Sequence, residues 1–350
     1  VAAMIADVAD RWVIDADPNR IELLWRRMYS SGYALRPDPT LVGVMSGIEM
    51  ACWDIVGKDA GKPVYDLLGG RVHERIRTYT FLYPDEGRPE VYNDPAQAAE
   101  QAAFEVARGF TAVKFDPAGP YTAFDGHQPS LDDIERSVAI TGAIRDAVGS
   151  RADLLFGTHG QFTAAGAIRL AQRLEEFDPL WFEEPTQPDQ PEEMALVARR
   201  TSIPVATGER LTTITEFAAL ARHQAAAIWQ PNLGRCGGLL AGKKIAAIAE
   251  ASGCQIAPHL YSGPILGAAN IQLAATLPNL LIVEGIQDWS GFHAELLTRP
   301  IEWEDGHVIP STEPGLGVEL NEDVALAHPY PENGDLHLTM SITAGVRPRM

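Results

Sequence analysis

The chain has 350 residues, 46% of them hydrophobic and 21% charged, with 31 Gly and 25 Pro, a composition that excludes disordered and fibrous classes and suffices for one large core plus an accessory piece. Its 47 acidic and 28 basic residues leave a formal net charge of −19, a field that repels phosphate backbones and anionic membranes and argues against nucleic acid or a membrane surface as partner. A small anionic substrate meets the same repulsion and needs a metal ion, Lys or Arg to settle in a site.

The first residues, VAAMIADVADRWVI, already carry helical apolar spacing, so an earlier segment is expected to precede them. No apolar run reaches the ~18 residues that span a bilayer, and no basic-then-apolar leader is visible. Cys52, Cys236 and Cys254 show no CxxC spacing, which disfavours disulfides and zinc clusters and fits a reducing cytoplasm.

Three helices are expected before residue 75, among them TLVGVMSGIEMACWDIVGKDAG. From residue 76 a short β-branched or aromatic run, a turn and a helix-period stretch alternate, the pattern of βα units and a parallel sheet. The strand candidates are 76–83, 111–117, 152–159, 179–185, 203–209, 226–232, 254–261 and 279–285. Eight strands without a Gly-rich phosphate loop after the first predict a TIM-type barrel and not a doubly wound sheet. Between them, SLDDIERSVAITGAIRDAVG opens on Ser130 as N-cap with Asp133 three residues on, and ends at Gly149. PEEMALVARR carries acids in its first turn and arginines in its last, matching the helix dipole. Beyond about residue 310 the rhythm stops in a loop-rich tail. The expected organisation is a capping domain over 1–75, a barrel over 76–310 and a segment over 311–350 returning to the cap.

In such a barrel the chemistry sits where strands finish. The predicted strand ends carry Lys114 and Asp116, His159, Glu183, Glu209, Asn232, His259 and Glu284. Singly, each has a structural reading: a glutamate before a helix is a dipole partner, and a lysine snorkels to water. Collected together, carboxylates, two imidazoles and an ammonium need a cation and a substrate to organise them. Lys114 and Asp116 fall on one side of their strand, as do Gly157 and His159, so each pair faces the same way.

The stretches MSGIEMACWDIVGKDAGKPVYDLLGG, WFEEP, TGERL, QPNLGRCGG, IAPHLY and PGLGVEL together resemble the enolase superfamily, mandelate racemase/muconate lactonizing type, and within it the galactonate dehydratase-like acid-sugar dehydratases. The resemblance spans essentially the whole chain. It implies a modified (β/α)7β barrel with an α+β capping domain formed from both chain ends, whose opening β-meander is expected to be missing here. It also implies a Lys or His base working with Mg2+ that stabilises an enediolate. On that pattern Glu183 and Glu209 are metal ligands, and the third acid falls at Gly157, so Asp116 is expected to supply the displaced carboxylate. Asn232 stands where the pattern has an aspartate orienting the catalytic histidine; His259 is then a weaker base, or an acid or electrophile. His159 resembles a general acid for the departing 3-hydroxyl, Lys114 offsets charge on the substrate carboxylate, and Glu284 hydrogen-bonds a carboxylate oxygen or a sugar hydroxyl. The implied activity is a Mg2+-dependent sugar-acid dehydratase, a cytoplasmic homo-oligomer by analogy. The alternatives are an epimerase, racemase or cycloisomerase of the superfamily, or a non-catalytic relative.

Overall fold

The computed structural model describes residues 1–30, 38–116 and 126–329. Residue 117 of the second strand candidate and residues 330–350 of the expected C-terminal segment lie outside the described residues. All eight strands occur in the predicted order: β1 (Ile76–Phe81), β2 (Ala112–Phe115), β3 (Asp153–Gly157), β4 (Trp181–Glu183), β5 (Val205–Thr207), β6 (Ile228–Trp229), β7 (Gln255–Ile256) and β8 (Val283–Glu284). Most are buried along their whole length, which is why they read as continuous apolar runs and not as alternating ones.

Each strand is shorter than its candidate, and the backbone gives the reason at two of the ends. His159 has φ +50° and Glu184 φ +39°; a left-handed residue cannot continue a ladder. The pairing is parallel, with Lys114 opposite Leu155, Gly157 opposite Glu183, and Glu183 opposite Ala206. Backbone bonds Ala227 N–H to Val205 O, Ala257 N–H to Trp229 O and Ile256 N–H to Asn279 O carry the order onward, and β8 also pairs with β1.

Two further strands, β9 (Trp303–Glu304) and β10 (His307–Val308), were not anticipated. They form a hairpin whose second strand runs antiparallel to β1, Ile76 opposite Val308. Its turn residues Asp305 and Gly306 both have positive φ, 47° and 74°, and an Asp-Gly pair is a hairpin signal the sequence did contain.

By internal contacts the chain divides into two compact units. The first comprises Val1–Thr78, Gly208–Ala221 and Trp229–Asn321. Its N-terminal part holds helices Ala2–Val8, Ile21–Ser30, Pro39–Ala60 and Val64–Leu67 with a π-turn at Ala9–Val13, packed through Val8, Ile21, Leu24, Met28, Val44 and Met45. The second is built mainly on Tyr79–Thr207 with Arg222–Ile228. There the helix Leu131–Val148 has the predicted capping box: Asp133 N–H donates to Ser130 Oγ at 3.1 Å, and Ser130 N–H to Asp133 Oδ2 at 3.2 Å.

The 22-residue helix Pro39–Ala60 is long and apolar enough to cross a bilayer, a length the sequence reading had not credited. Its middle carries Glu49, buried, which accepts N–H groups from Leu239 at 2.8 Å and Leu240 at 2.9 Å and the indole N–H of Trp53 at 2.7 Å. The carboxylate thus caps the first turn of the helix Gly238–Ala251, whose own N-cap, Gly237, has no side chain to do so. Burial pushes the Glu49 carboxyl up from 4.5 to about 7, against the pull of those three donors. A folded value raised above the unfolded one gives stability that is complete below about pH 4.5 and lost as pH rises through about 7. The expected loss is about 3 kcal/mol, read from urea unfolding across that range, and Glu49→Gln is expected to flatten it.

Candidate active site

Within the second unit the β2 to β4 strand ends form one cluster. Lys114 on β2 donates to Glu183 Oε1 at 2.6 Å, with side chains 2% and 0% exposed. Trp181, two residues before Glu183 on β4 and so on the same face, donates its indole N–H to Glu183 Oε2 at 3.1 Å. Tyr79 packs edge-on against Trp181, ring centroids 5.3 Å apart, and offers its ring to the Lys114 ammonium at 6.0 Å. A carboxylate at zero exposure is costly unless paired and hydrogen-bonded, and both Glu183 oxygens have such donors.

Gly157 faces the same cluster. A Cβ there would lie 3.0 Å from Lys114 Cε. The lysine stem would have to give by a few tenths of an ångström for a larger side chain to begin at 157.

His159 follows as a left-handed residue, a conformation that costs a non-glycine about 1 kcal/mol or more and persists only where neighbours enforce it. Four hydrogen bonds enforce it. Thr158 Oγ1 donates to Glu183 O at 2.7 Å and Glu184 O at 3.0 Å, Gly160 N–H to Glu184 O at 2.6 Å, and Gln187 Nε2 to Gly160 O at 2.6 Å. Thr158 and Gln187 were missed by sequence reasoning, because nothing in their local pattern announces a bond to the next strand. Asp116 lies beside this histidine, its Oδ2 3.9 Å from His159 Nδ1.

In the first unit a second cluster follows β5 to β8. Glu209 is carried out by Gly208, φ +139°, where a Cβ would sit 2.8 Å from the Phe217 ring and 2.9 Å from Gln230 N; only glycine fits that approach. His259 is fixed by its own N–H to Pro231 O at 3.2 Å and by Asn270 Nδ2 donating to His259 O at 3.0 Å. Its Nε2 stands 3.1 Å from Glu209 Oε2 and 3.7 Å from Glu284 Oε2. Glu284 in turn accepts Leu260 N–H at 2.6 Å. Asn232 meets His259 Nδ1 at 2.8 Å through Nδ2, while its Oδ1 accepts Gly234 N–H at 2.8 Å.

His159 and Glu183 follow β3 and β4 in the second unit and Glu209 follows β5 in the first. Carboxylates and imidazoles are donors that suit a divalent ion. Among the described residues Cys52, Cys236 and Cys254 form no disulfide, and burial pushes Cys236 up to about 12, which leaves it inert as a nucleophile.

Residues 1–69 match the mandelate racemase/muconate lactonizing enzyme N-terminal domain, and residues 97–324 match the enolase C-terminal domain-like family. The chain belongs to the mandelate racemase/muconate lactonizing enzyme family. It is similar to a crystal structure from Labrenzia alexandrii DFL-11, itself provisionally assigned to this family, at 63% identity and a TM-score of 0.93, over 96% of this chain and 86% of that one. It is 34% identical to a D-galactonate dehydratase of Pectobacterium atrosepticum over 334 residues, 93% of this chain and 83% of that protein. A D-gluconate dehydratase of Thermoproteus tenax is 32% identical over 90% of this chain, which spans only 62% of that relative's length. The fold is accordingly the family's α/β one, a TIM-type barrel with a capping domain. Like its dehydratase relatives, this member of the mandelate racemase/muconate lactonizing enzyme family is a lyase-class enzyme of the enolase superfamily.

Proposed function

We propose that the chain is a Mg2+-dependent dehydratase of a sugar acid, which removes the proton at C2, beside the carboxylate, and eliminates the 3-hydroxyl to give a 2-keto-3-deoxy acid. The observation that carries the reading is the set of buried carboxylates and two imidazoles at successive strand ends, in a chain whose relatives are named for dehydrating galactonate and gluconate. Glu183 and Glu209 would hold the ion. When bound, the ion offsets the negative charge that develops on the substrate carboxylate as the α-proton leaves.

The remaining work belongs to this chain's own side chains. Lys114 compensates Glu183 and stands ready for the substrate's anionic end, against a net field that repels it. His159 and His259 carry the proton traffic, Asn232 orients His259, and Glu284 offers an acceptor for a sugar hydroxyl. Asp116, just after β2, would supply the further carboxylate toward the ion. We take 1–75 and 311–350 as the cap and 76–310 as the barrel, and a cytoplasmic homo-oligomer as the working form.

Incubation with a panel of aldonic and aldaric acids in excess Mg2+ is expected to yield a 2-keto-3-deoxy acid, and chelation to abolish it. Deuterium wash-in at C2 without any keto acid would make the chain an epimerase. No reaction with any acid would reject the reading.

A further inference from the structure

Inside the first unit the stretch MSGIEM, on the helix Pro39–Ala60, meets NLGRCGG, which follows β6. Ser46 and Glu49, 0% and 1% exposed, project from that helix onto the far end of the turn that Asn232 begins. Ser46 Oγ accepts Gly237 N–H at 3.0 Å while donating to Val42 O at 2.6 Å. The Glu49 carboxylate takes the N–H groups of Leu239 and Leu240. Two glycines permit the approach: Gly237 and Gly238 have φ +102° and +89°, and a Cβ on Gly238 would overlap Glu49 Oε2. One turn before Ser46, Gly43 lies against the same loop, where its Cβ would come 3.6 Å from Gly234 O.

Between those ties and Asn232 the turn is closed on itself. Arg235 N–H and Cys236 N–H donate to Asn232 O at 2.9 and 2.8 Å, and Gly238 N–H to Leu233 O at 3.1 Å. Asn232 Oδ1 accepts Gly234 N–H at 2.8 Å, so the side chain takes its direction from the path of its own turn. Its other arm meets His259 Nδ1 at 2.8 Å. Ser46, Glu49, Asn232 and His259 are all buried, so a lost link leaves a polar group without a ready substitute from water. A local N-cap would satisfy the helix Gly238–Ala251 without fixing where the turn sits; a cap delivered from another helix does both.

Building on the dehydratase reading, we propose that Glu49 and Ser46 are positioning residues for the reaction, holding the Asn232–His259 pair in place through the turn Asn232–Gly238. Neither touches a reacting atom; both act on the direction of the His259 ring. A displacement of about 1 Å at such a ring costs on the order of a hundredfold in rate. The groups that bind the acid stay where they are, so the loss falls on kcat. The third donor to Glu49, the Trp53 indole at 2.7 Å, comes from the same helix and transmits nothing to the turn. Trp53 therefore separates positioning from simple stabilisation of that carboxylate.

The test compares Ser46→Ala, Glu49→Gln and Trp53→Phe on the acids that the wild-type enzyme converts, with the first two repeated in an Asn232→Ala background. Ser46→Ala and Glu49→Gln are expected to lower kcat by about tenfold to a hundredfold, with KM within about twofold. Once Asn232 is replaced, the same substitutions are expected to cost no more than about twofold, because the path they act through is gone. Trp53→Phe is expected to lower the melting temperature as they do, yet to keep kcat within about twofold of wild type. Losses that persist in full in Asn232→Ala, or an equal loss in Trp53→Phe, overturn the proposal. A second readout needs no turnover: in NMR of asparagine-labelled protein, the Asn232 side-chain amide signal is expected to move in Ser46→Ala and Glu49→Gln and to stay in Trp53→Phe. An unmoved signal overturns the proposal, whereas a wild type that dehydrates no acid, with the signal moving as expected, rejects the dehydratase reading alone.

Discussion

Replacing Glu183 with Gln is expected to abolish Mg2+-dependent turnover, by about three orders of magnitude or more, and also to destabilise the protein by about 3–5 kcal/mol. Two separate causes act. The first is loss of the anionic ligand proposed at Glu183. The second is that Lys114, buried and donating to Glu183 at 2.6 Å, loses its counter-charge. These causes can be separated by a double-mutant cycle with Lys114→Met. Removing both charges is expected to recover most of the stability in urea unfolding while leaving activity absent. If Glu183→Gln alone unfolds no more easily than wild type, the ion pair is not what holds that carboxylate.

The second large effect is expected at Thr158, a residue that touches neither proposed metal nor substrate. Thr158→Val keeps the shape but removes the hydroxyl that donates to Glu183 O and Glu184 O. The His159 turn, already left-handed, then loses one of its ties across to β4. A shift of about 1 Å in a catalytic group costs on the order of a hundredfold in rate. The loss is expected in kcat, with KM changed little and Thr158→Ser restoring most of it. A fall in KM-type binding alone, or no rescue by Ser, would mean that Thr158 serves folding and not alignment.

How much of this was legible beforehand varies with where the information resides. The eight strands were legible because a sheet covered on both faces writes itself as apolar runs, and the capping box at Ser130 and Asp133 because it is local. Strand ends were over-read by one to several residues, since turns such as the one at His159 are fixed by bonds from the neighbouring strand. The hairpin β9–β10 was overlooked although Asp305-Gly306 signalled it.

At the site, the residue types were readable and their pairings were not. Gly157 reads as the loss of a ligand, and the sequence could not show that the Lys114 stem from β2 lies against it. Nor could it show that Asp116 lies near His159, 3.9 Å from its Nδ1. For Asn232 the sequence placed the side chain toward His259, while its second partner, Gly234 N–H, is a backbone group that no residue type reveals.

The proposed function depends on Glu183 and Glu209 as ligands of one divalent ion. Titration calorimetry with Mg2+ on the wild-type protein, Glu183→Gln and Glu209→Gln tests it most directly. The account predicts one ion per wild-type chain and none in either variant; no binding to the wild type, or unchanged binding in both variants, would contradict it.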